Sequence, residues 1–394
     1  MKRIVMVLLL ASWFPALMVG QQSKVDLPAN PSAASPENSA PASALSLSLQ
    51  SAAAWRDVSA SFAFAQEPKV EQKPKPTKTP KPPKLPAADR PSIGGSMVGY
   101  IDNAIIGSQI RMRFDAGFDN NSPDRAEFFY AKCGCYRVLN GTAFAAAFDP
   151  NAPGPGTGIP TAINFQQLRF NLEYAPVRRF SVFADVPIRW IQPQGFVPAS
   201  SLPFTPTNFS NQGGIGDVEA GFKLAAVASR NTYLTFQFRV YFPSGDSFRG
   251  LGTAHYSVEP SILLYQKLSN RWALEAHLGD WHPIGGSAGV PVSASEGFAG
   301  DVFTYGLGPS YQLYRGDRVR ISPVVEMVGW KVLSGFQSLQ PGFLEISGTD
   351  ILNIKAGART SIGNHNSFYI GFGQAVTHDL WYKHLVRLEY RYSF

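Results

Sequence analysis

The sequence predicts an all-β fold, namely a transmembrane antiparallel up-and-down β-barrel of about 12 strands, preceded by a disordered N-terminal extension. Three observations support this prediction. Segments of alternating apolar and polar residues recur beyond residue 100, short and long connections alternate between them, and aromatic residues make up 13% of the chain. A barrel strand presents one face to lipid and the other to the interior, which produces this two-residue period.

The alternation is clearest in the last ten residues, LVRLEYRYSF, where the apolar Leu388 and Tyr390 flank the charged Glu389. The same period recurs along the chain and defines each predicted strand. The candidate strands are approximately 104–118, 162–175, 178–191, 214–228, 231–243, 255–268, 271–283, 301–314, 318–331, 351–362, 366–375 and 384–394.

The connections indicate which side of the membrane each strand end faces. The links near Pro176, Ser229, Ser269, Gly316 and Asn364 are tight turns, whereas those between them are long. Outer-membrane barrels have short periplasmic turns and longer external loops, while Greek-key crossovers of a soluble sandwich have no reason to keep this rhythm. The predicted location is therefore the outer membrane of a Gram-negative-type bacterium, with membrane lipid as a partner.

Composition excludes two other classes. The formal net charge is +7, but residues 1–91 hold 11 Lys and Arg against 6 Asp and Glu, which leaves 24 against 22 for the remainder. The folded part is nearly neutral, so no nucleic-acid partner is predicted. No run of about twenty apolar residues follows the N-terminus, which argues against a helical membrane protein.

Residues 1–91 divide into two predicted segments before the barrel at residues 92–394. Residues 1–20 have Lys2 and Arg3 ahead of an apolar stretch and are predicted to be a signal peptide. Residues 21–91 are rich in Ser, Ala and Pro, then in Lys and Pro, and are predicted to be a disordered periplasmic linker. Residues 66–91 are a solvated spacer in one interpretation, and in another their lysines bind anionic peptidoglycan by charge.

Charged residues alternate with the apolar face of the strands, so they are predicted to point into the lumen. A dry apolar core would cost several kcal/mol per buried charge, which predicts a wet or salt-bridged interior. A barrel of this size lies between filled and open ones, so we expect a narrow pore or one plugged by residues 119–161 or by the N-terminal extension. Closure of the first strand on the last predicts a basic wall of Arg111, Arg113 and Arg391. The predicted pore-lining residues are Arg111, Arg113, Asp115, Arg169, Glu173, Arg189, Asp217, Glu219, Lys223, Arg239, Glu259, Glu275, Arg320, Glu326, Lys355, Arg359, Arg387, Glu389 and Arg391, and Asp185 shares their face.

Aromatic residues near the strand ends are predicted to form two interfacial girdles. The outer girdle would contain Trp190, Tyr241, Phe242, Trp281 and Trp330. The periplasmic girdle would contain Tyr174, Phe180, Tyr233, Trp272, Tyr314 and Phe394.

Several strand starts carry glycine-rich motifs. The segment 213–227 begins with G-x-G-D at Gly214, Gly216 and Asp217, and a P-S-G-D motif covers residues 243–246. Together with residues 250–268 and 272–286, these motifs make the chain resemble the outer-membrane transporter-like family associated with the meta-pathway of phenol degradation. The resemblance implies a channel for small, often aromatic or apolar solutes.

Other candidate chemistry is sparse. Cys133 and Cys135 lie in the first long external loop, where an oxidising environment favours a disulfide, local or intermolecular, over a soft-metal thiolate pair. A bridge spanning a single residue is strained. His255 and Ser257 share a strand face about 7 Å apart, which is too far for a catalytic hydrogen bond. We predict no cofactor, no metal and no enzymatic activity.

The predicted function is an outer-membrane channel that passively admits small solutes through a charged lumen. An alternative is a structural barrel that tethers the outer membrane to the cell wall through its Lys/Pro arm. An outer-membrane enzyme is a further alternative.

Overall fold

The computed structural model describes residues 95–121, 134–285, 298–339 and 342–394. The predicted signal peptide, the linker at residues 21–91 and Cys133 lie outside these ranges. No helix within them is long and apolar enough to cross a membrane.

The described residues form sixteen β-strands and a few short 3-10 helices. The 3-10 helices cover Gly134–Val138, Ala145–Ala147, Ala199–Ser201 and Ser247–Arg249. The strands are β1 (Gln109–Asn120), β2 (Pro160–Val177), β3 (Phe180–Phe196), β4 (Gln212–Ile215), β5 (Val218–Ala228), β6 (Thr232–Phe242), β7 (Tyr256–Lys267), β8 (Trp272–Ile284), β9 (Val302–Tyr311), β10 (Tyr314–Arg315), β11 (Val319–Val332), β12 (Phe336–Leu339), β13 (Gly342–Glu345), β14 (Asp350–Ile362), β15 (Asn366–Ala375) and β16 (His384–Ser393).

Twelve of these strands form a closed antiparallel wall in the order β1, β2, β3, β5, β6, β7, β8, β9, β11, β14, β15 and β16. The wall closes because β1 pairs with β16, with Asp115 opposite Arg387 and Arg111 opposite Arg391. Strand β4 pairs with the part of β3 that lies beyond its pairing with β5, and β10 pairs with β11. The predicted twelve-strand barrel is confirmed.

The outer face of the wall is apolar, as the alternation predicts. Leu172 on β2 is 51% exposed, whereas the next residue, Glu173, is 1% exposed. Strands β1, β7 and β15 repeat this pattern, with Ile110, Ile262 and Ile370 exposed. A closed barrel with such a belt and with short turns on one side is an outer-membrane barrel, and the short turns mark its periplasmic end.

The girdle prediction is wrong for four residues. Tyr233, Tyr241 and Trp281 are buried inside the barrel, and Trp330 lines an internal cavity. The physical reason is the strand period: Phe242 is exposed, so its neighbour Tyr241 must face the interior. Position along a strand predicts the depth of a ring in the membrane. Whether the ring faces lipid or the interior depends on which of the two alternating sets of strand residues it belongs to.

The structure differs from the predicted strands in two further ways. The first strand was expected at 104–118, but β1 begins at Gln109 and the residues before it lie inside the lumen. We call residues 95–108 the plug segment. In addition, β12 and β13 pair as a separate external hairpin that the sequence pattern does not predict.

Candidate functional site

The plug segment occupies the periplasmic half of the lumen as a loop that rises from the barrel end and returns to β1. Wall carboxylates accept its main-chain N–H groups. Glu326 accepts from Gly99 at 3.0 Å and from Tyr100 at 2.9 Å, and Glu275 accepts from Met97 at 2.9 Å. Charged acceptors make strong hydrogen bonds, so these two carboxylates hold the rising limb of the loop.

Wall cations bind the carbonyl oxygens of the same segment. Arg359 donates to Val98 O at 2.7 Å, and Arg387 donates to Gly99 O at 2.5 Å. On the descending limb, Lys223 donates to Asn103 O at 3.1 Å. The interior charges of this half therefore satisfy the polar groups of an irregular peptide, which buried main chain requires.

Glycines on both sides allow this close contact. A Cβ at Gly99 would lie 2.3 Å from the ring of Tyr369, and a Cβ at Gly306 of β9 would lie 2.3 Å from Ile101 Cγ2. Side chains at these positions would push the plug segment away from the wall.

External loops cover the opposite mouth with an apolar cap, which we define by its buried residues Tyr136, Leu139, Phe209, Phe298, Trp381 and Tyr382. The ring centroids of Tyr136 and Phe298 are 5.9 Å apart, and those of Trp381 and Trp330 are 4.6 Å apart. Because Trp330 belongs to β11, the cap packs directly onto the wall.

Between the plug segment and the apolar cap lies a cavity of about 190 Å³, which we call the lumenal cavity. Tyr100, Ile101 and Asp102 of the plug segment border it, as do Phe165, Trp330 and Tyr382. Its remaining surface is strongly charged, with seven cationic and four acidic side chains.

One side of the lumenal cavity is a network of ion pairs on β2, β3, β5, β6 and β7, which we call the paired wall. Arg169 bonds Asp185 at 2.8 Å and also pairs with Glu219. Arg239 lies 3.5 Å from Glu219 and 3.3 Å from Glu259. Arg239 also bonds Asp102 of the plug segment at 2.5 Å, so this wall reaches the bordering loop.

The adjoining side, on β1, β14 and β16, carries Arg111, Arg113, Lys355 and Arg387, which we call the cationic wall. Asp115 is the carboxylate that shares this part of the cavity lining, and Arg387 occupies both of its oxygens, at 2.6 and 2.8 Å. Arg113 lies 3.5 Å from Asp115, and Arg111 is 4.0 Å from Glu389. The two walls thus differ in their degree of neutralisation.

The structure distributes the predicted pore-lining residues over three places. Around the lumenal cavity lie Arg111, Arg113, Asp115, Arg169, Arg189, Glu219, Arg239, Glu259, Lys355 and Arg387, together with Asp185. Around the plug segment lie Glu173, Lys223, Glu275, Glu326, Arg359, Glu389 and Arg391. The predicted basic wall is divided, because Arg391 bonds Glu389 at 3.1 Å below the cavity.

Asp217 and Arg320 lie in neither group. Arg320 is half-buried near the periplasmic end of β11. Asp217, between β4 and β5, accepts from Gly245 N at 3.0 Å and from Thr253 N at 2.8 Å. The G-x-G-D and P-S-G-D motifs therefore meet, and Asp217 anchors an external loop.

Sequence reasoning missed Tyr100 and Asp102, because it assigned no position to residues that precede the first strand. Burial raises the pKa of Tyr100 far above its usual range, and burial likewise raises that of Tyr382. Both phenols are therefore neutral at physiological pH. Burial alone would raise the pKa of Asp102, but the Arg239 guanidinium outweighs it and holds that pKa well below its usual range.

The remaining candidates are placed as follows. Cys135 is disulfide-bonded, and its pairing with Cys133, which lies outside the described residues, stays a prediction. His255 Nδ1 lies 3.0 Å from Thr253 O, and Ser257 Oγ has no hydrogen-bond partner in the described part of the chain. Within the same part, no group of three or more metal-binding side chains is present.

These features define an outer-membrane β-barrel with an occupied lumen. Residues 171–279 match the family described as "Putative MetA-pathway of phenol degradation", which confirms the predicted family resemblance over that part of the chain. No curated protein matches the sequence significantly.

Among solved structures, an outer membrane channel from Pseudomonas putida F1 is similar at 13% identity and a TM-score of 0.44, covering 75% of this chain and 99% of that chain. The β domain of the Bordetella autotransporter BrkA is similar at 14% identity and a TM-score of 0.41, covering 73% and 100%. The Pseudomonas putida toluene transporter TodX is similar at 9% identity and a TM-score of 0.37, covering 73% and 89%. Nothing about the solute of this chain follows from these similarities.

Proposed function

We propose that the protein is an outer-membrane channel that passively admits small solutes through its charged lumen, and that the plug segment holds it closed. The observation that carries this proposal is the way the plug segment is bound. Wall side chains, rather than wall main chain, hold residues 97–103. The loop can leave without breaking the ladder that closes the barrel.

Displacement of the plug segment would expose polar groups that water can solvate. Glu275, Glu326 and Arg359 would exchange peptide partners for water, so the net cost of opening is far below the gross energy of the bonds. The emptied half would be lined by ions of both signs, which suits small hydrophilic or amphipathic solutes.

A reversible disulfide lock tests this proposal. A Cβ at Gly308 would lie 2.8 Å from Val98 Cγ1, so the double variant Val98→Cys with Gly308→Cys places two sulfurs within bonding reach across the plug segment and β9. In planar bilayers we expect the oxidised variant to be silent and the reduced variant to conduct.

Wild-type protein treated with the same reductant is the matched control, because the chain has two natural cysteines. A locked variant that conducts as well as its reduced form would contradict closure by the plug segment. Wild-type and reduced protein that never conduct would contradict the channel itself.

A further inference from the structure

We propose that the lumenal cavity is a binding site for a small organic monocarboxylate, with Lys355 and Arg113 as its anion-binding groups. This inference rests on the proposed channel function, because it names the class of solute that the lumen accepts. It is carried by three features: a lysine nitrogen without an ion pair, a guanidinium that shares its carboxylate with Arg387, and an aromatic border.

Lys355 points its ammonium group at the lumenal cavity without a counter-ion. The side chain is 3% exposed, and Nζ lies 4.2 Å from the ring centroid of Tyr100 and 5.1 Å from that of Trp330. The ring of Tyr382 is 5.5 Å away. Contacts with these ring faces hold the Lys355 nitrogen in place but leave its N–H donors available. Across the described ranges, Nζ forms no ion pair and no hydrogen bond.

Arg113 offers the second donor. Its neighbour Asp115 accepts two bonds from Arg387, at 2.6 and 2.8 Å, and lies 3.5 Å from Arg113 Nε, which makes no hydrogen bond in the part of the chain that the structure describes. An incoming carboxylate could accept a charge-assisted hydrogen bond from this N–H, which the shared Asp115 does not form.

The rest of the lumenal cavity selects the body of the ligand. Phe165, Trp330 and Tyr382 border it on the capped side. Its volume of about 190 Å³ is below the about 300 Å³ at which sites for drug-sized ligands begin. An inorganic anion would leave the aromatic border uncovered, and a sugar acid would bring hydroxyl groups that need partners there. A carboxylate on a small apolar or aromatic body satisfies both the cationic groups and the aromatic border of the cavity.

Equilibrium dialysis of the full-length protein in detergent tests the site with labelled benzoate, because this method does not depend on how fast a closed cavity exchanges. Unlabelled benzoate should displace the label, whereas benzamide, its neutral isostere, should compete at least about tenfold more weakly, since it makes no charge-assisted bond. Benzylammonium should not compete. Equal competition by benzoate and benzamide would overturn the proposal.

Lys355→Met provides the variant test, since it removes the charge but keeps the packing of the stem. We expect a loss of benzoate affinity of about tenfold or more. We also expect a higher unfolding temperature, because a buried amino group without a hydrogen-bond partner is removed. Arg113→Gln should lose affinity as well. Lys331→Met is the matched control: Lys331 pairs with Asp350 at 3.0 Å outside the cavity, and its loss should leave benzoate binding unchanged.

A Lys355→Met protein that unfolds cooperatively and binds benzoate like the wild type would refute the site. The two proposals fail separately. If conductance depends on the disulfide lock but no benzoate binds, the channel proposal stands and the carboxylate site is refuted. If benzoate binds but the protein never conducts, the binding site stands and the channel proposal is refuted.

Discussion

The periplasmic and outer halves of the lumen are both charged, yet they use their charges differently. In the periplasmic half, Glu275, Glu326 and Arg359 bond to the main chain of the plug segment. In the outer half, Arg169 and Glu219 of the paired wall bond to each other, whereas in the cationic wall Arg113 and Arg387 share the carboxylate of Asp115. The comparison teaches that a charged lumen does not by itself define a conducting path, since several of these charges hold a peptide in place.

The largest expected effect comes from neutralising the carboxylates that hold the plug segment. The double variant Glu275→Gln with Glu326→Gln replaces charged acceptors by neutral ones and should weaken the plug segment by about 3 kcal/mol, which is on the order of a hundredfold in the ratio of open to closed protein. Single-channel recording should show a matching rise in open probability.

Glu345→Gln is the control for that variant, because Glu345 is exposed on the external hairpin of β12 and β13. An unchanged open probability in the double variant would mean that the periplasmic charges do not hold the plug segment.

A steric change should have the next largest effect. Gly306→Val places a side chain against Ile101 and should destabilise the closed arrangement by about 1–3 kcal/mol. Adding Ile101→Ala should restore closure by making room. Proteolysis within the plug segment and conductance report on this pair of variants.

Ala276→Val is the matched control, since it enlarges a residue on the outward face of the neighbouring strand β8, opposite Leu307. If the double variant with Ile101→Ala is as open as Gly306→Val alone, contact between these two positions does not explain the closed state.

A smaller effect is expected at Asp217, which belongs to neither half of the lumen. Asp217→Asn weakens three hydrogen bonds to Gly245 and Thr253 and should lower the free energy of unfolding by about 1–2 kcal/mol. Conductance should not change. Asp246→Asn, at an exposed cap of the same loop, should cost about nothing, because Asn caps a helix N-terminus as well as Asp does.

Thermal unfolding followed by circular dichroism measures both of these variants. A large change in ion selectivity for Asp217→Asn would return this residue to the pore lining that the sequence predicts.

The smallest effect on transport is expected from the Lys/Pro arm. Deleting residues 66–91 should leave conductance unchanged, whereas the tether hypothesis predicts that cells lose envelope integrity. Detergent sensitivity of cells carrying the deletion distinguishes the two. A deletion that alters conductance would link the arm to the plug segment.

The wall could be predicted from the sequence because one period repeats in every strand. The alternation around Glu173 or Glu389 decides which side meets lipid, and turn length decides which end faces the periplasm. Closure of the first strand on the last follows from the same pattern, whereas the register that puts Asp115 opposite Arg387 comes from the structure.

The contents of the lumen could not be predicted in the same way. Residues 95–108 show no two-residue period, because they form an irregular loop. The hydrogen-bond partners of its main chain are side chains distant in sequence, such as Glu326, which is 227 positions from Gly99. Asp217 looks like any inward charge, yet its partners come from a loop whose path the pattern does not encode. Partner identity in a charged interior depends on three-dimensional register rather than on local sequence.

The plug segment leads directly into β1, and β1 is the strand that pairs with β16 to close the wall. The seam of the barrel and its contents are therefore covalently continuous. If β1 and β16 paired around an empty lumen, Glu275, Glu326 and Arg359 would lack their peptide partners. The plug segment would then have to enter afterwards through the periplasmic opening. Biogenesis needs the fewest steps when the lumen is filled and the barrel is closed in a single event. In that event β1 brings the plug segment into the lumen as it pairs with β16.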